Sequence, residues 1–221
     1  MVSMSDKRLD SPDETRRLQR TILVATTNPG KIVELRAMLD ADVEWVGLSD
    51  FPQAPEVEED GRTFAENARK KATTYALATG LWTLSDDSGL VVDALGGQPG
   101  VRSARFAGMD GPDRRAIDRH NIEKVLQLLR DVPPDKRTAR FVCHLCLAGP
   151  EQILIETSGI LEGRILDHPL GDKGFGYDPI FWIPSLNKTV AQLESEEKNA
   201  LSHRGNALRR LKPMLRELLG S

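Results

Sequence analysis

Two long runs of alternating apolar and polar residues, 138–148 and 152–161, flank Gly149-Pro150. A period of two marks half-buried strands, and Gly-Pro between two such strands marks a reversal. The segment therefore predicts a long antiparallel hairpin, which any fold of this chain must accommodate. Upstream the pattern changes. An apolar strand, Ile22-Leu23-Val24-Ala25, runs into Thr26-Thr27-Asn28-Pro29-Gly30-Lys31, and Ile32, Leu35, Met38 and Leu39 follow at helical spacing. Helices alternating with strands and a long hairpin together predict an α/β fold on a mixed sheet.

The rest of the path fits that class. Residues 43–48 form a plausible second strand, and 51–61 an acidic loop with two prolines. An alanine-rich helix is expected over 63–79, closed by Gly80. Residues 81–84 read as a strand ending at Asp86-Asp87, with Ser88-Gly89 as a turn and 90–92 extended again. A helix is expected over 113–130, a strand over 180–183 and a closing helix over 202–219, which Pro213 should kink or interrupt.

At 221 residues, 29% charged and net −3, the chain has the composition of a soluble globular protein. The acidic balance argues against a general nucleic-acid binder, and no apolar run approaches a membrane span. Residues 1–20 carry five basic and four acidic residues and little to bury, so a disordered tail is expected ahead of one domain over 21–221. The tail has no apolar core of a secretory signal. Cys143 and Cys146 form a C-x-x-C, but residues three apart on a strand face opposite sides, which predicts two buried thiols in a reducing, cytoplasmic setting rather than a shared ligand.

Several segments carry possible chemistry. Asp86-Asp87 at a strand end can hold Mg²⁺ and orient a water. The loop from Thr26 through Lys31 enters a helix N-terminus, where free backbone N–H groups receive anions; it is not a Walker A loop, because Ala25 stands where that pattern needs glycine. Asn67 and Lys71 lie four apart on one helical face. Phe175, between Gly174 and Gly176 and ahead of Tyr177-Asp178, could stack on a base. Ser202 is a natural N-cap before His203-Arg204. Each also has a plain reading: a capped helix start, a solvated face, a tight turn, a surface pair.

In order along the chain stand T-x-N-x-x-K, F-x-E-N-A-x-x-K-A, S-D-D-S-G-L, G-G-x-P-G-x-x-S-A-R-F-x-G, G-F-G-Y-D-P-I-F and E-E-K-x-x-x-S-H-R-G. This series strongly resembles the inosine triphosphate pyrophosphatase family over residues 21–219. The resemblance implies an elongated mixed sheet flanked by helices, in two lobes with the cleft between them, and a homodimer. It implies Mg²⁺-dependent hydrolysis of ITP, dITP and XTP to the monophosphate and pyrophosphate, which keeps these nucleotides out of DNA and RNA. By the same resemblance Asp87 is the proton acceptor and a metal ligand, with Glu59 a second metal-side carboxylate. Thr26, Thr27, Asn28, Pro29, Gly30, Lys31 and Lys71 are triphosphate contacts. Ser88, Phe175, Gly176, Tyr177, Asp178, Lys198, His203 and Arg204 are nucleotide and base contacts. Repulsion between Asp86 and Asp87 should raise one carboxyl pKa, against an opposing pull from lysine and metal. A pyrophosphatase for modified or pyrimidine nucleotides and a non-catalytic nucleotide-binding regulator are the rival readings.

Overall fold

A computed structural model describes residues 21–26, 29–109 and 111–220, without the side chains of residues 29–31, 33 and 34. The expected tail, Thr27 and Asn28, and the side chains of Pro29, Gly30 and Lys31 lie outside the described residues.

Seven strands form one mixed sheet in the order β2-β1-β3-β4-β5-β6-β7. Strand β1 (Thr21–Val24) lies between β2 (Glu44–Gly47) and β3 (Trp82–Val92), parallel to both. Strands β4 (Thr138–Ala148) and β5 (Ile153–Ile165) are the expected hairpin, and β3 joins β4 antiparallel over its length. Short strands β6 (Phe181–Ile183) and β7 (Lys188–Thr189) complete the far edge.

Helix α1 (Pro29–Leu39) connects β1 to β2, and α2 (Phe64–Thr79) precedes β3. Helix α2 starts where Thr63 accepts the Glu66 N–H and ends at Gly80 in the left-handed region, at φ 72°. Helix α3 (Arg114–Leu128) is capped by Asp113. Helices α4 (Ser195–Leu201) and α5 (His203–Leu219) close the chain. Sequence reading missed α4. Of the kink or interruption expected at Pro213 there is no interruption: α5 is helical through it, with Leu208, Leu211 and Leu215 buried on either side of the proline. Their burial offsets the lost backbone bond.

The turn expected at Ser88-Gly89 is also absent. The Asp pair lies inside β3, because β4 pairs with it continuously from Thr83↔Ala148 to Val92↔Ala139. Gly89 is needed for close approach: a Cβ there would fall 2.4 Å from Ser103 Oγ and 2.7 Å from the Gly100 carbonyl.

One face of the β3–β4 ribbon packs two apolar clusters. Leu84, Leu145 and Leu147 meet α1 and α5 in one; Leu90, Val92 and Phe141 meet α3 and β6 in the other. The opposite face receives α2 through Ala68, Ala72 and Ala76 against Cys146 and Ala148. Cys143 belongs to the first cluster and Cys146 to the α2 side, so the two thiols face apart as their spacing predicts. Burial holds the Cys146 thiol up at about 12, so it stays protonated.

Candidate active site

Strand β1 pairs only with Trp82, Thr83 and Leu84 of β3. Beyond Leu84 the β3 edge from Ser85 to Ser88 has no strand on that side among the described residues. The chain leaving β1 turns away here, with the Ala25 N–H bonded to the Leu84 carbonyl at 2.8 Å. Helix α1 starts just beyond, at Pro29, at the carboxyl ends of parallel strands where ligand crevices form in α/β sheets.

Pleating sends the adjacent carboxylates of this edge to opposite faces. Asp87 points toward α2 and is 8% exposed. Its Oδ2 accepts from Asn67 Nδ2 at 2.9 Å, and its Oδ1 is 4.0 Å from Lys71 Nζ. Lys71 Nζ also donates to Glu59 Oε1 and to the Asp86 carbonyl, each at 2.6 Å. Glu59 comes from the acidic loop, whose backbone is tied by Arg105 to the Glu59 carbonyl at 2.6 Å. Asn67 and Lys71 are thus the polar residues that this helix turns toward β3. Arg69 and Lys70 are its solvated cations, paired with Glu156 and Asp60.

Burial pushes the Asp87 carboxyl up to about 6, against the opposing pull of Lys71 and the Asn67 hydrogen bond. Glu59 adds to the rise and Asp86 adds least. The repulsion expected between paired aspartates is therefore a minor cause, because the two carboxylates occupy different faces. For Lys71, burial works against the charged form, yet Glu59, Asp86 and Asp87 more than offset it and the pKa is raised. Lys71 is a fixed cation beside a carboxyl poised near neutrality, the condition a general base needs.

On the other face Asp86 Oδ2 accepts from the Arg204 guanidinium at 3.0 Å, both side chains largely buried. Ser88 Oγ lies 3.4 Å from the same carboxylate oxygen. His203, 9% exposed, stacks on Phe141 with centroids 5.0 Å apart. The His-Arg pair is therefore interior rather than superficial, drawn in because Ser202 caps α5 by accepting the Gly205 N–H. Gly205 permits this close turn, since a Cβ would come within 1.9 Å of the Asn199 carbonyl.

The glycine-rich segment supplies the third group. Phe175 is 57% exposed, with Lys198 Nζ 4.7 Å from its ring centroid. Lys198 also pairs with buried Asp178 at 2.6 Å, and Asp178 Oδ2 accepts the Phe175 N–H at 3.0 Å. The Tyr177 side chain turns inward, its hydroxyl donating to the Ser103 carbonyl at 2.8 Å.

A buried acid–ammonium cluster thus lies at one open strand edge, and an exposed aromatic, backed by the Lys198–Asp178 salt bridge, stands on a loop that Tyr177 ties through Ser103 to the same strand. The Ham1 family model matches residues 22–214. The chain belongs to the Ham1 family. It is 51% identical over 195 residues to the dITP/XTP pyrophosphatase of Geobacter sulfurreducens, covering 88% of this chain and 96% of that one. To the dITP/XTP pyrophosphatase of Exiguobacterium sibiricum it is 51% identical over 202 residues, with 90% and 98% covered. Among solved structures, the Staphylococcus aureus Ham1 protein superposes with TM-score 0.81 at 40% identity, over 90% of this chain and 99% of that one. A nucleoside-triphosphatase / dITP/XTP pyrophosphatase from Mycobacterium abscessus gives TM-score 0.74 at 44% identity, over 87% and 99%. No described helix of this Ham1 chain is long and apolar enough to cross a membrane.

The donor set of the Ham1 site bears on a metal. Among the described residues no three His, Cys, Asp or Glu side chains gather as ligands. Glu59 and Asp87 nevertheless converge on one point, taken by the Lys71 ammonium. Hard carboxylate oxygens suit Mg²⁺, which uses one or two protein carboxylates and completes its shell with phosphates and water. Two carboxylates therefore fit such an ion when a triphosphate accompanies it.

Proposed function

We propose that this chain hydrolyses non-standard purine nucleoside triphosphates (ITP, dITP and XTP) to the monophosphate and pyrophosphate. The observation that carries this is Asp87: a buried carboxyl held near pH 6 between an amide donor and a fixed ammonium, in a family whose similar members are named dITP/XTP pyrophosphatase.

Asp87 takes a proton from water as the water oxygen bonds to the α-phosphorus and the α–β bridging bond breaks, releasing pyrophosphate. Asn67 orients the carboxylate. Lys71 offsets charge that builds on the phosphoryl oxygens. Helix α1 presents its N-terminal amides to the phosphates, with Thr26 and the residues after it completing the cradle. Phe175 stacks on the base, while Asp178, Lys198, His203 and Arg204 surround its edge with donors and acceptors. Asp87 and Glu59 would hold Mg²⁺, which when bound supplies charge neutralisation for the triphosphate. A homodimer and a cytoplasmic location belong to the same reading.

The test is the product. With ITP and Mg²⁺ the protein should release pyrophosphate and IMP, with inorganic phosphate at background. Release of inorganic phosphate and IDP would replace this reading with a phosphatase.

A further inference from the structure

The Phe175 platform is built on unusual backbone. Gly174 and Gly176 both lie in the left-handed region, at φ 79° and 60°, and a Cβ on Gly174 would meet Asp178 Oδ2 at 2.1 Å. Such a loop needs its exposed amides satisfied to keep one shape. Two consecutive amides are satisfied by carboxylates. The Phe175 N–H goes to Asp178, three residues on. The Gly176 N–H goes to Asp118 Oδ2 at 2.8 Å, from α3, 58 residues away in sequence.

Asp118 is one of three α3 residues at i, i+3 and i+6 that hold functional loops rather than the core. Asn121 Oδ1 accepts the Ala107 N–H at 2.7 Å, and its amide donates to the Ala104 carbonyl at 3.2 Å. Lys124 Nζ donates to the Phe106 carbonyl at 2.6 Å and sits 4.3 Å from the Phe106 ring centroid. The loop so held carries Arg105, which fixes the Glu59 backbone, and Ser103, whose hydroxyl accepts the Leu90 N–H of β3 at 2.9 Å. Ser103 O in turn receives the Tyr177 hydroxyl. Helix α3 thus ties the aromatic loop and the residue 103–107 loop to each other and to the catalytic strand.

We propose that Asp118 is a positioning residue for base recognition: by accepting the Gly176 N–H it sets the height and tilt of Phe175 against the nucleotide base, without touching substrate. The proposal rests on the nucleotide reading of the site. A hydrogen bond to a charged group is worth a factor of roughly ten or more in an equilibrium. Losing it lets the loop leave the stacking geometry and lowers the fraction of molecules ready to bind. Asparagine keeps an acceptor at the same reach; alanine does not.

The experiment compares wild type, Asp118→Ala and Asp118→Asn in ITP hydrolysis, in competitive inhibition by inorganic tripolyphosphate, and in thermal melting. Tripolyphosphate probes the phosphate side alone. Asp118→Ala should raise KM for ITP about tenfold with kcat within about threefold and tripolyphosphate inhibition unchanged, and Asp118→Asn should restore KM to within about threefold of wild type. Should Asp118→Ala not fold, Asp118→Ser, too short to reach Gly176, takes its place. An unchanged KM overturns the proposal. So does a parallel loss of kcat, ITP binding and tripolyphosphate binding, which marks a general structural defect. Wild-type protein that binds tripolyphosphate but does not cleave ITP overturns the functional reading instead.

Discussion

Replacing Asp87 with asparagine should inactivate the enzyme and stabilise the protein. The carboxyl sits at about 6 in the folded chain against an ordinary 3.8. For a carboxyl with a raised folded pKa, the contribution to stability is full below pH 3.8 and is lost as pH rises through about 6. At pH 7.5 the ionised group therefore costs the fold about 3 kcal/mol, at about 1.4 kcal/mol for each tenfold step in the proton equilibrium. Asparagine removes that cost and keeps an acceptor for Asn67 Nδ2. Each kcal/mol moves the midpoint of a chain this size by about 2–4 °C, so Asp87→Asn should melt roughly 6–12 °C above wild type at pH 7.5. The advantage should shrink to about 0.5 kcal/mol at pH 4 and vanish near pH 3, where the wild-type carboxyl is protonated in both the folded and the unfolded chain. The assay is thermal melting in EDTA from pH 3 to 8, beside steady-state ITP hydrolysis with Mg²⁺. Turnover should fall by roughly 10² or more, the scale of a lost general base. A variant that melts at or below the wild-type temperature at pH 7.5 would refute the reasoning, because the ionised carboxylate would then be a stabilising partner. Activity within about threefold of wild type would remove Asp87 from the chemistry.

The remaining predictions concern its neighbours. Lys71→Ala removes the cation between Glu59 and Asp87, so kcat/KM for ITP should drop by roughly 10² while melting changes less; normal hydrolysis with a lower Tm would make Lys71 structural. Gly174→Ala forces a Cβ onto Asp178 and disturbs its bond to Lys198, so KM for ITP should rise with tripolyphosphate inhibition unchanged; identical KM values would show that the loop yields at no cost. Removing residues 1–20 should leave kcat/KM and Tm nearly unchanged, since the segment has little to bury and the family match starts at residue 22; a large loss of either would mean that the tail docks on the fold.

Much of this molecule could be read from residues near one another in sequence. The hairpin expected over 138–161, the Ser202 cap and the opposed cysteines follow from period and local chemistry, although β5 runs on to Ile165. Motif order brought out Asp87, Lys71 and the Phe175 loop, although spacing alone left α2 looking like a solvated face. What stayed hidden depended on tertiary partners. The Asp pair is mid-strand because β4 pairs across it, and nothing in S-D-D-S-G announces that partner. Gly89 resembles a turn residue until Ser103 is packed against it. Asp118, Asn121 and Lys124 lie in the helix expected over 113–130 with no local sign of a task, because the loops they hold lie up to 58 residues away. Their i, i+3, i+6 spacing was the available signal, and only the folded loops give it meaning.

The central claim, selection of non-standard purines, is tested most directly by kcat/KM for ITP, XTP, ATP and GTP with Mg²⁺ and a pyrophosphate readout. Hypoxanthine and xanthine carry oxygen at C6 where adenine carries an amino group, and guanine adds an amino group at C2. A buried edge that leaves those amino groups unpaired penalises them, because unmatched polar groups in a closed site are expensive. The account predicts ITP and XTP cleaved at least about a hundredfold better than ATP and GTP; equal cleavage of all four would contradict it and leave a general nucleoside triphosphate pyrophosphatase.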